Sequence, residues 1–294
     1  MALTLAEAAK LSNDLVLQGI VETIVKESPI LQVMPFVDMT GNTLKYNREN
    51  AAATAAFYAV GDTWSESTPT FTQMTTSLVI LGGDADVDNY IRQTRSNVQD
   101  IAAAILELKA KAIAHKYEDT FINGDTSGDA NSFDGIKKSV TSGQTATMGT
   151  NGGVLTLDKL DELMDLHKPG KPDVLLMSRR SRRKLSALRR AAGSVLESDT
   201  NAFGQRVLYY DAVQIGINDW LSDAETEGTS SDCSSVYALS FGEGAVAGLQ
   251  NGGITLERLG SLETKDATRT RVKWYCGLAV FSSLKLARLK GVRV

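Results

Sequence analysis

The chain has 294 residues, of which 43% are hydrophobic and 22% are charged, and its formal net charge is −4 at pH 7. These values are ordinary for a globular protein with a buried core, and they exclude a disordered or fibrous chain. The longest apolar stretch, residues 274–284, has 11 residues, whereas a membrane-spanning helix needs about 20. We therefore expect no membrane partner.

The N-terminus and the cysteines indicate a protein made in a cytoplasm. No basic residues precede an apolar run at the N-terminus, so a secretion signal is not expected. Cys233 and Cys276 lie 43 positions apart in the sequence, and this spacing matches no metal-binding or redox motif. We expect two reduced thiols.

Residues suited to catalysis are few. Of the two histidines, His115 is predicted on a helix face, and His167 at a helix C-terminus, where a cation would complement the helix dipole. No Walker motif and no Gly-x-Ser-x-Gly elbow occurs in the sequence. The sequence therefore predicts no catalytic residue, no cofactor and no metal, and the protein is predicted not to be an enzyme.

Three polar motifs resemble ligand-binding sequences. Residues 242–247 match a relaxed dinucleotide fingerprint, which needs a helix to begin there and bind the pyrophosphate. Residues 250–253 end in two glycines and would break such a helix, so a turn between strands is predicted. Residues 84–88 alternate aspartates like calcium ligands, yet Arg95 at the twelfth position would repel the ion. Residues 123–134 lack the bidentate glutamate and the exit helix of a calcium loop, so we predict a turn held by its own Asx side chains.

The first part of the chain is predicted to be an arm. Residues 4–27 have the helical period, and Thr4 and Glu7 have the spacing of a capping box. Pro29 ends this helix, because proline disfavours helical geometry in the residue before it. The apolar residues 30–37 that follow suggest a segment that lies on another surface.

Residues 40–83 predict a long two-stranded projection. Strands are expected at residues 44–48 and 75–81, with little helical periodicity between them. Such a long segment without a core of its own usually binds something. We expect its aromatic side chains to be buried by a partner, and they are Phe57, Tyr58, Trp64 and Phe71.

The strongest predicted element is a long helix. Ser96 and Gln99 form a second capping-box pair, apolar residues follow at three- and four-residue steps, and Asn123-Gly124 supplies the stop. About 26 residues at about 1.5 Å each give roughly 39 Å. We expect this helix to be the spine of the fold.

The remainder of the chain predicts a separate α/β domain and a long return strand. The predicted helices are 157–164 and a basic helix that Ser178 caps and that ends at Gly193. The predicted strands are 173–177, 207–215, 236–241, 254–259, 268–280 and 284–289.

The basic helix carries an unusual concentration of charge. Residues 179–190 contain seven cations and no acid, which leaves 24 basic and 35 acidic residues, a balance of −11, in the other parts of the chain. Cations at a helix N-terminus oppose its dipole, so a negatively charged partner is expected. Acidic faces of this or a neighbouring subunit, nucleic acid or an acidic scaffold, and simple solvation remain open. Arg182 and Arg183 are the candidate contact residues.

The order of arm, projecting loop, spine helix, α/β domain and return strand resembles the major capsid proteins of tailed bacteriophages, which share the Hong Kong 97 fold. The local sequences that carry this resemblance are ESPIL (27–31), MPF (34–36), GN (41–42), GDADVD (83–88), FINGD (121–125), FDGI (133–136), WYCGLAV (274–280) and ARL (287–289). Each motif is weak alone, but their order and spacing span nearly the whole chain.

The resemblance implies an α+β, Hong Kong 97-like fold in four parts. These are an N-terminal arm at 1–37, an extended β-hairpin loop at 38–92, a peripheral domain with the spine helix at 93–150 and 262–294, and an α/β axial domain at 151–261. Some relatives join their subunits through a loop lysine. Lys45 is in such a loop, but no matching pattern accompanies it, so we interpret it as a surface lysine.

The resemblance also implies a function. Such proteins form pentamers and hexamers that tile an icosahedral phage head around double-stranded DNA, assembled in the host cytoplasm. The implied partners are other copies of the chain, a separate or dispensable scaffold protein, a portal, a possible decoration protein and DNA held by non-specific contact. Phe57, Tyr58, Trp64, Phe71, Arg182 and Arg183 are the subunit-interface candidates. The alternatives are an encapsulin shell that holds enzyme cargo and a soluble nucleotide-dependent enzyme.

Overall fold

The computed structural model describes residues 30–51, 53–95, 101–200 and 206–293. Within these residues the α-helices are α1 (Ile30–Val33), α2 (Asn89–Arg95), α3 (Ile101–Asn123), α4 (Ile136–Ser139), α5 (Leu157–Leu166) and α6 (Arg179–Ala191). The strands are β1 (Phe36–Asp38), β2 (Thr43–Ala51), β3 (Thr70–Ser77), β4 (Val79–Asp88), β5 (Thr145–Thr147), β6 (Gly153–Val154), β7 (Val174–Met177), β8 (Glu197–Thr200), β9 (Arg206–Tyr210), β10 (Val213–Ile217), β11 (Glu225–Glu227), β12 (Ser230–Leu239), β13 (Val246–Ser261), β14 (Ala267–Val280) and β15 (Leu286–Arg293). The predicted α+β class is confirmed.

A four-stranded sheet is built around β14, in the order β1-β13-β14-β4. The alternation that predicts a strand at 268–280 is present, because Val272, Trp274, Cys276 and Leu278 are all buried. The pairing of β14 with β4 and β13 is antiparallel, and β1 runs parallel to β13. One face of this sheet therefore forms a continuous apolar surface.

The spine helix, α3, packs on that apolar surface. The ring of Tyr117 lies 4.7 Å from that of Trp274 and 5.8 Å from that of Phe36, measured between centroids. The Tyr117 hydroxyl donates to the carbonyl oxygen of Gly277 at 3.2 Å. With 23 described residues, the helix is about 35 Å long, and its predicted role as a spine is confirmed. The predicted capping residues Ser96 and Gln99 lie outside the described residues.

A second sheet has the order β5-β15-β12-β7-β10-β9-β8, with β11 paired to β12 and β6 to β15. Its central strand β7 separates two cores. Val174 and Leu176 face the core that contains Phe121 of the spine helix. Leu175 and Met177 face a second core with side chains of α5 and α6. The order of layers is therefore helices α5 and α6, the second sheet, the spine helix and the four-stranded sheet.

The predicted projection is the hairpin of β2 and β3, which pair with each other from Thr43 opposite Ser77 to Ala51 opposite Thr70. The single strand predicted at 75–81 is wrong in one detail. The chain breaks at Leu78, whose amide donates to the carbonyl oxygen of Asn42 at 2.9 Å. Residues before Leu78 pair within the hairpin, and residues after it pair with β14.

Two further predictions need correction. Residues 30–37 do not lie only on an outside surface, because Ile30 and Met34 are buried in this chain's core and β1 pairs with β13. The strand predicted at 207–215 is a hairpin of β9 and β10, with Asp211 and Ala212 at φ of 49° and 63° in the turn. The helix predicted at 4–27 lies outside the described residues.

Two strands pair across the predicted division of the chain. Strand β13 falls in the predicted axial part but belongs to the four-stranded sheet, and β15 falls in the predicted peripheral part but pairs with β12. Sheet pairing brings together residues that are distant in sequence, whereas the predicted boundaries follow chain order. The four-part division stays a prediction.

Candidate subunit-contact surfaces

The hairpin ends in a segment, residues 53–69, that we call the hairpin tip; it contains neither helix nor strand. Its large side chains do not pack on the core of this chain. Trp64 is 77% exposed and Phe57 fully exposed, and Phe71 at the start of β3 is 63% exposed. Large aromatics this exposed are typical of protein contact surfaces.

Local contacts give the hairpin tip a defined shape. The rings of Tyr58 and Trp64 stack with their centroids 4.4 Å apart, and the hydroxyls of Tyr58 and Ser65 are hydrogen-bonded at 2.9 Å. The amide of Thr54 donates to Ser67 Oγ at 2.9 Å. The aromatic side chains are therefore presented from an ordered loop, which lowers the entropy lost when a partner covers them.

The N-terminus of the basic helix α6 is neutralised by this chain. Ser178 is the N-cap, as predicted, and its Oγ accepts from the amide of Ser181 at 3.2 Å. Arg179 donates to both carboxylate oxygens of Asp219 at 2.7 and 3.0 Å, and Arg180 Nε lies 3.3 Å from Asp223. These two acids offset the unfavourable interaction of the first cations with the helix dipole.

The other cations of α6 are not neutralised in this way. Among the described residues, no carboxylate forms an ion pair with Arg182, Arg183, Lys184 or Arg190. Arg189 lies over the ring of Tyr210, 5.4 Å from its centroid. The expected acidic partner from this chain is thus present for the first turn only, and an unneutralised basic face remains on the outside of α6.

The acidic motifs are occupied by side chains of this protein. Lys138 Nζ lies 2.6 Å from Asp125 and 3.0 Å from Asp134, where a cation would bind, and its ammonium group lowers the pKa of the Asp125 carboxyl. The amide of Ser127 donates to Asp125 Oδ1 at 2.8 Å, which confirms the predicted Asx turn. Over the described ranges, no group of three or more metal-ligating side chains is present.

The glycine motif and the histidines are structural. The chain turns at residues 242–245 and enters β13 at Val246 without an intervening helix, so the predicted turn between strands is confirmed. His115 packs edge-on against Trp220 with centroids 5.9 Å apart. His167 corrects the prediction of a helix-terminal cation. It is buried between Gly170 O at 3.1 Å and Ser240 Oγ at 3.0 Å, and burial lowers its pKa.

Sequence reasoning missed one buried charge cluster. Glu225 accepts from Lys137 Nζ at 2.6 Å, from Arg288 Nη2 at 3.2 Å, and from Ser235 Oγ. Burial opposes ionisation of Glu225, but the bonds from Lys137, Ser235 and Arg288 outweigh it and lower the pKa of the carboxyl. The members are up to 88 positions from Glu225 in sequence, so no local pattern marks the cluster. It joins α4, β11, β12 and β15.

In the part of the chain that the structure covers, no helix is long and apolar enough to span a membrane.

The two sheets, spine helix and projecting hairpin together form a Hong Kong 97-like capsid fold, and three comparisons of structures show this likeness. The chain is similar to the holo-SrpI encapsulin complex from Synechococcus elongatus PCC 7942, with TM-score 0.76, 19% identity and coverage of 99% of this chain and 96% of that one. It is similar to the capsid of an empty GTA particle, with TM-score 0.73, 15% identity and 98% coverage of both chains. For a protein of Mycobacterium phage Bobi the TM-score is 0.66, with 15% identity and 97% coverage of both chains.

The sequence model of the phage capsid family matches residues 11–290. The chain therefore belongs to the phage capsid family and is a capsid-shell protein, not an enzyme. No curated protein matches the sequence.

Proposed function

We propose that this chain is a major capsid protein that forms pentamers and hexamers in an icosahedral phage head around double-stranded DNA. The observation that carries the proposal is the hairpin tip, which presents Trp64 and Phe57 away from the chain's core. Exposed aromatics on a projecting, internally bonded loop suit burial against a neighbouring subunit. Because the chain belongs to the phage capsid family, the expected neighbour is another copy of the chain in a shell.

In this assembly the residues 38–92 form the extended loop that lies over the neighbouring subunit. The axial part at 151–261 is closest to the symmetry axis, and the peripheral part at 93–150 and 262–294 is farther from it, with the arm at 1–37. The head assembles in the host cytoplasm. A separate scaffold, a portal, a possible decoration protein and DNA held by non-specific contact are its partners.

A second candidate is an encapsulin-type shell that encloses protein cargo. The specific observation that favours it is the similarity to the encapsulin chain over 99% of this chain. Both functions need the same subunit contacts, so the difference lies in what the shell encloses.

Electron microscopy of the purified full-length chain tests assembly. Closed shells with pentameric and hexameric capsomers are expected, and a stable monomer at micromolar concentration under assembly conditions would refute the proposal. Particles recovered from the cells that naturally make the protein then separate the two candidates. Nuclease-protected double-stranded DNA inside the particles supports a phage head, whereas a stoichiometric protein cargo supports an encapsulin.

A further inference from the structure

Helices α5 and α6 lie in the same layer of the molecule. Leu160 and Leu163 of α5 and Leu185 of α6 belong to one core, together with Leu175 and Met177 on the same face of the second sheet. Their opposite sides therefore face away from the sheet.

The outer side of α6 is basic. Arg183 and Arg190 are both exposed, and they are seven residues apart, which places them on the same side of the helix two turns from each other. Arg182 and Lys184 flank them. None of these four cations forms an ion pair with another residue of the described ranges.

The outer side of α5 is acidic. Asp158, Glu162 and Asp165 are exposed, and their spacing of four and three residues puts them in one stripe along the helix. Glu162 pairs with Lys159 at 2.6 Å. Asp158 and Asp165 have no ion pair within the part of the chain that the structure describes.

The two charged faces occupy different positions on the sheet. Helix α5 packs against β15 and β5 towards one edge. Helix α6 directly follows β7, which pairs with β10 on the side of the other edge. Two different, complementary surfaces on one chain can join head to tail, and head-to-tail contacts that close form rings.

We propose that the basic face of α6 docks on the acidic stripe of α5 in a neighbouring copy of the chain. This inference rests on the proposed function, because it names the contact that closes the capsomer ring. The planar guanidinium of arginine can donate two parallel hydrogen bonds to one carboxylate, which suits a fixed ion pair. The complementary charges also disfavour any other alignment of the two helices, because like charges would then face each other.

A second copy fits the basic face better than DNA does. Outside residues 179–190 the chain carries 24 basic and 35 acidic residues, a balance of −11. A long polyanion such as DNA would extend beyond α6 over this negatively charged surface and be repelled. Helix α5 has 10 residues and α6 has 13, so the acidic stripe of a neighbouring α5 can face α6 along its length.

A charge-swap experiment on the full-length chain tests the contact. The basic-face variant is Arg183→Glu with Arg190→Glu, the stripe variant is Asp158→Lys with Asp165→Lys, and the swapped variant carries all four changes. We expect each double variant to raise the concentration needed for capsomer assembly by about tenfold or more, because like charges then meet. The swapped variant should recover most of the loss. Sedimentation velocity measures the assembled fraction.

Two further variants separate contact from folding and from net charge. Arg183→Gln with Arg190→Gln removes the cations without adding acids, and a smaller loss of assembly is expected with unchanged far-UV circular dichroism. Lys111→Glu with Lys116→Glu on the spine helix, where both side chains are exposed, makes the same change in net charge and should assemble like the wild type.

Three outcomes would overturn the inference. The first is that the basic-face variant assembles like the wild type, and the second is that the swapped variant assembles no better than the basic-face variant. The third is that the basic-face variant forms normal shells that fail to retain DNA. The last result would identify DNA as the partner. In each case the wild type still forms shells, so the proposed function stands; a wild type that never assembles refutes both.

Discussion

The guanidinium of Arg48 donates from Nε to the backbone carbonyl oxygen of Phe281 at 3.1 Å. Arg48 lies in β2 of the hairpin, whereas Phe281 directly follows β14 of the four-stranded sheet. Arg48 Nη2 also donates to the carbonyl oxygen of Val280 at 2.5 Å, as does the Tyr46 hydroxyl at 2.9 Å. These bonds connect the middle of strand β2 to the body of the chain, and they set the direction in which the hairpin tip points.

Replacing Arg48 by alanine should loosen the hairpin. Charge-assisted hydrogen bonds contribute about 2 kcal/mol, so local opening of β2 and β3 should become about thirtyfold more frequent. Hydrogen exchange of the amides in residues 43–51 measures this opening. Lys45→Ala, in the same strand with an exposed side chain, is the control and should leave exchange unchanged. Equal exchange in both variants would show that the Arg48 bonds do not hold the hairpin.

Replacing Trp64 by alanine should impair assembly but not folding. A side chain 77% exposed in the single chain contributes little to its folding, so the free energy of unfolding should change by less than about 0.5 kcal/mol. Aromatic anchors at interfaces contribute about 2 kcal/mol, so assembly should need roughly thirtyfold more protein. Urea unfolding and light scattering measure the two effects.

The matched control for Trp64 is Val195→Ala, which changes another exposed apolar residue, 72% exposed, outside the hairpin. It should assemble normally. Trp64 remaining solvent-exposed in an assembled particle, or Trp64→Ala assembling like Val195→Ala, would contradict the predicted role of the hairpin tip.

Elements with a strong local pattern could be predicted from the sequence. The alternation in β14 and the serine cap of α6 each act within a few residues, so sequence alone specifies them. The turn at Asp211 and Ala212 was missed because alanine rarely adopts a positive φ, and its local sequence gives no glycine signal. Parallel pairing of β1 with β13 joins residues more than 200 positions apart, which no local pattern encodes.

The candidate contact residues also divide into features that the sequence predicts and features that depend on contacts between distant parts of the chain. The exposure of Trp64 follows from a segment that has no core of its own, which the sequence does show. The neutralisation of Arg179 by Asp219 depends on tertiary contact and was not foreseen residue by residue. In the proposed assembly the surface that covers Trp64 belongs to another copy, so a single chain does not contain that information.

The thiols of Cys233 and Cys276 should be unreactive in the folded protein. Both residues are fully buried, and burial raises the pKa of Cys276 to about 12 and that of Cys233 above its ordinary value. Because the thiolate is the reactive form, a chromogenic disulfide reagent should label neither thiol at neutral pH. Both should react once urea unfolds the chain. Rapid labelling of the native protein would show that one of these sites opens locally.

The pairing of Asp86 with Arg269 should make stability depend on pH in the acid range. Arg269 donates to both carboxylate oxygens at 2.6 and 2.8 Å across the β4–β14 ladder, and the Asp86 side chain is 8% exposed. The bonds from Arg269 outweigh the effect of burial and hold the pKa of Asp86 below its ordinary value of 3.8. A depressed pKa stabilises the fold above the unfolded-state pKa, and that stabilisation is lost as the pH falls through the folded-state pKa.

Asp86→Asn should therefore lower the free energy of unfolding at pH 7 by about 2 kcal/mol. The difference from the wild type should shrink as the pH falls from 3.8 through the lower folded-state pKa, because the wild-type carboxyl then becomes protonated and, like asparagine, uncharged. Urea unfolding of the unassembled chain at a series of pH values measures this. Asp84→Asn is the matched control on the same strand. Its pair with Arg271 is more exposed, with side chains 27% and 46% accessible, so solvent weakens the interaction and the loss should be smaller. A difference for Asp86→Asn that stays constant from neutral to acid pH would mean that the lost packing, and not the ion pair, accounts for the effect.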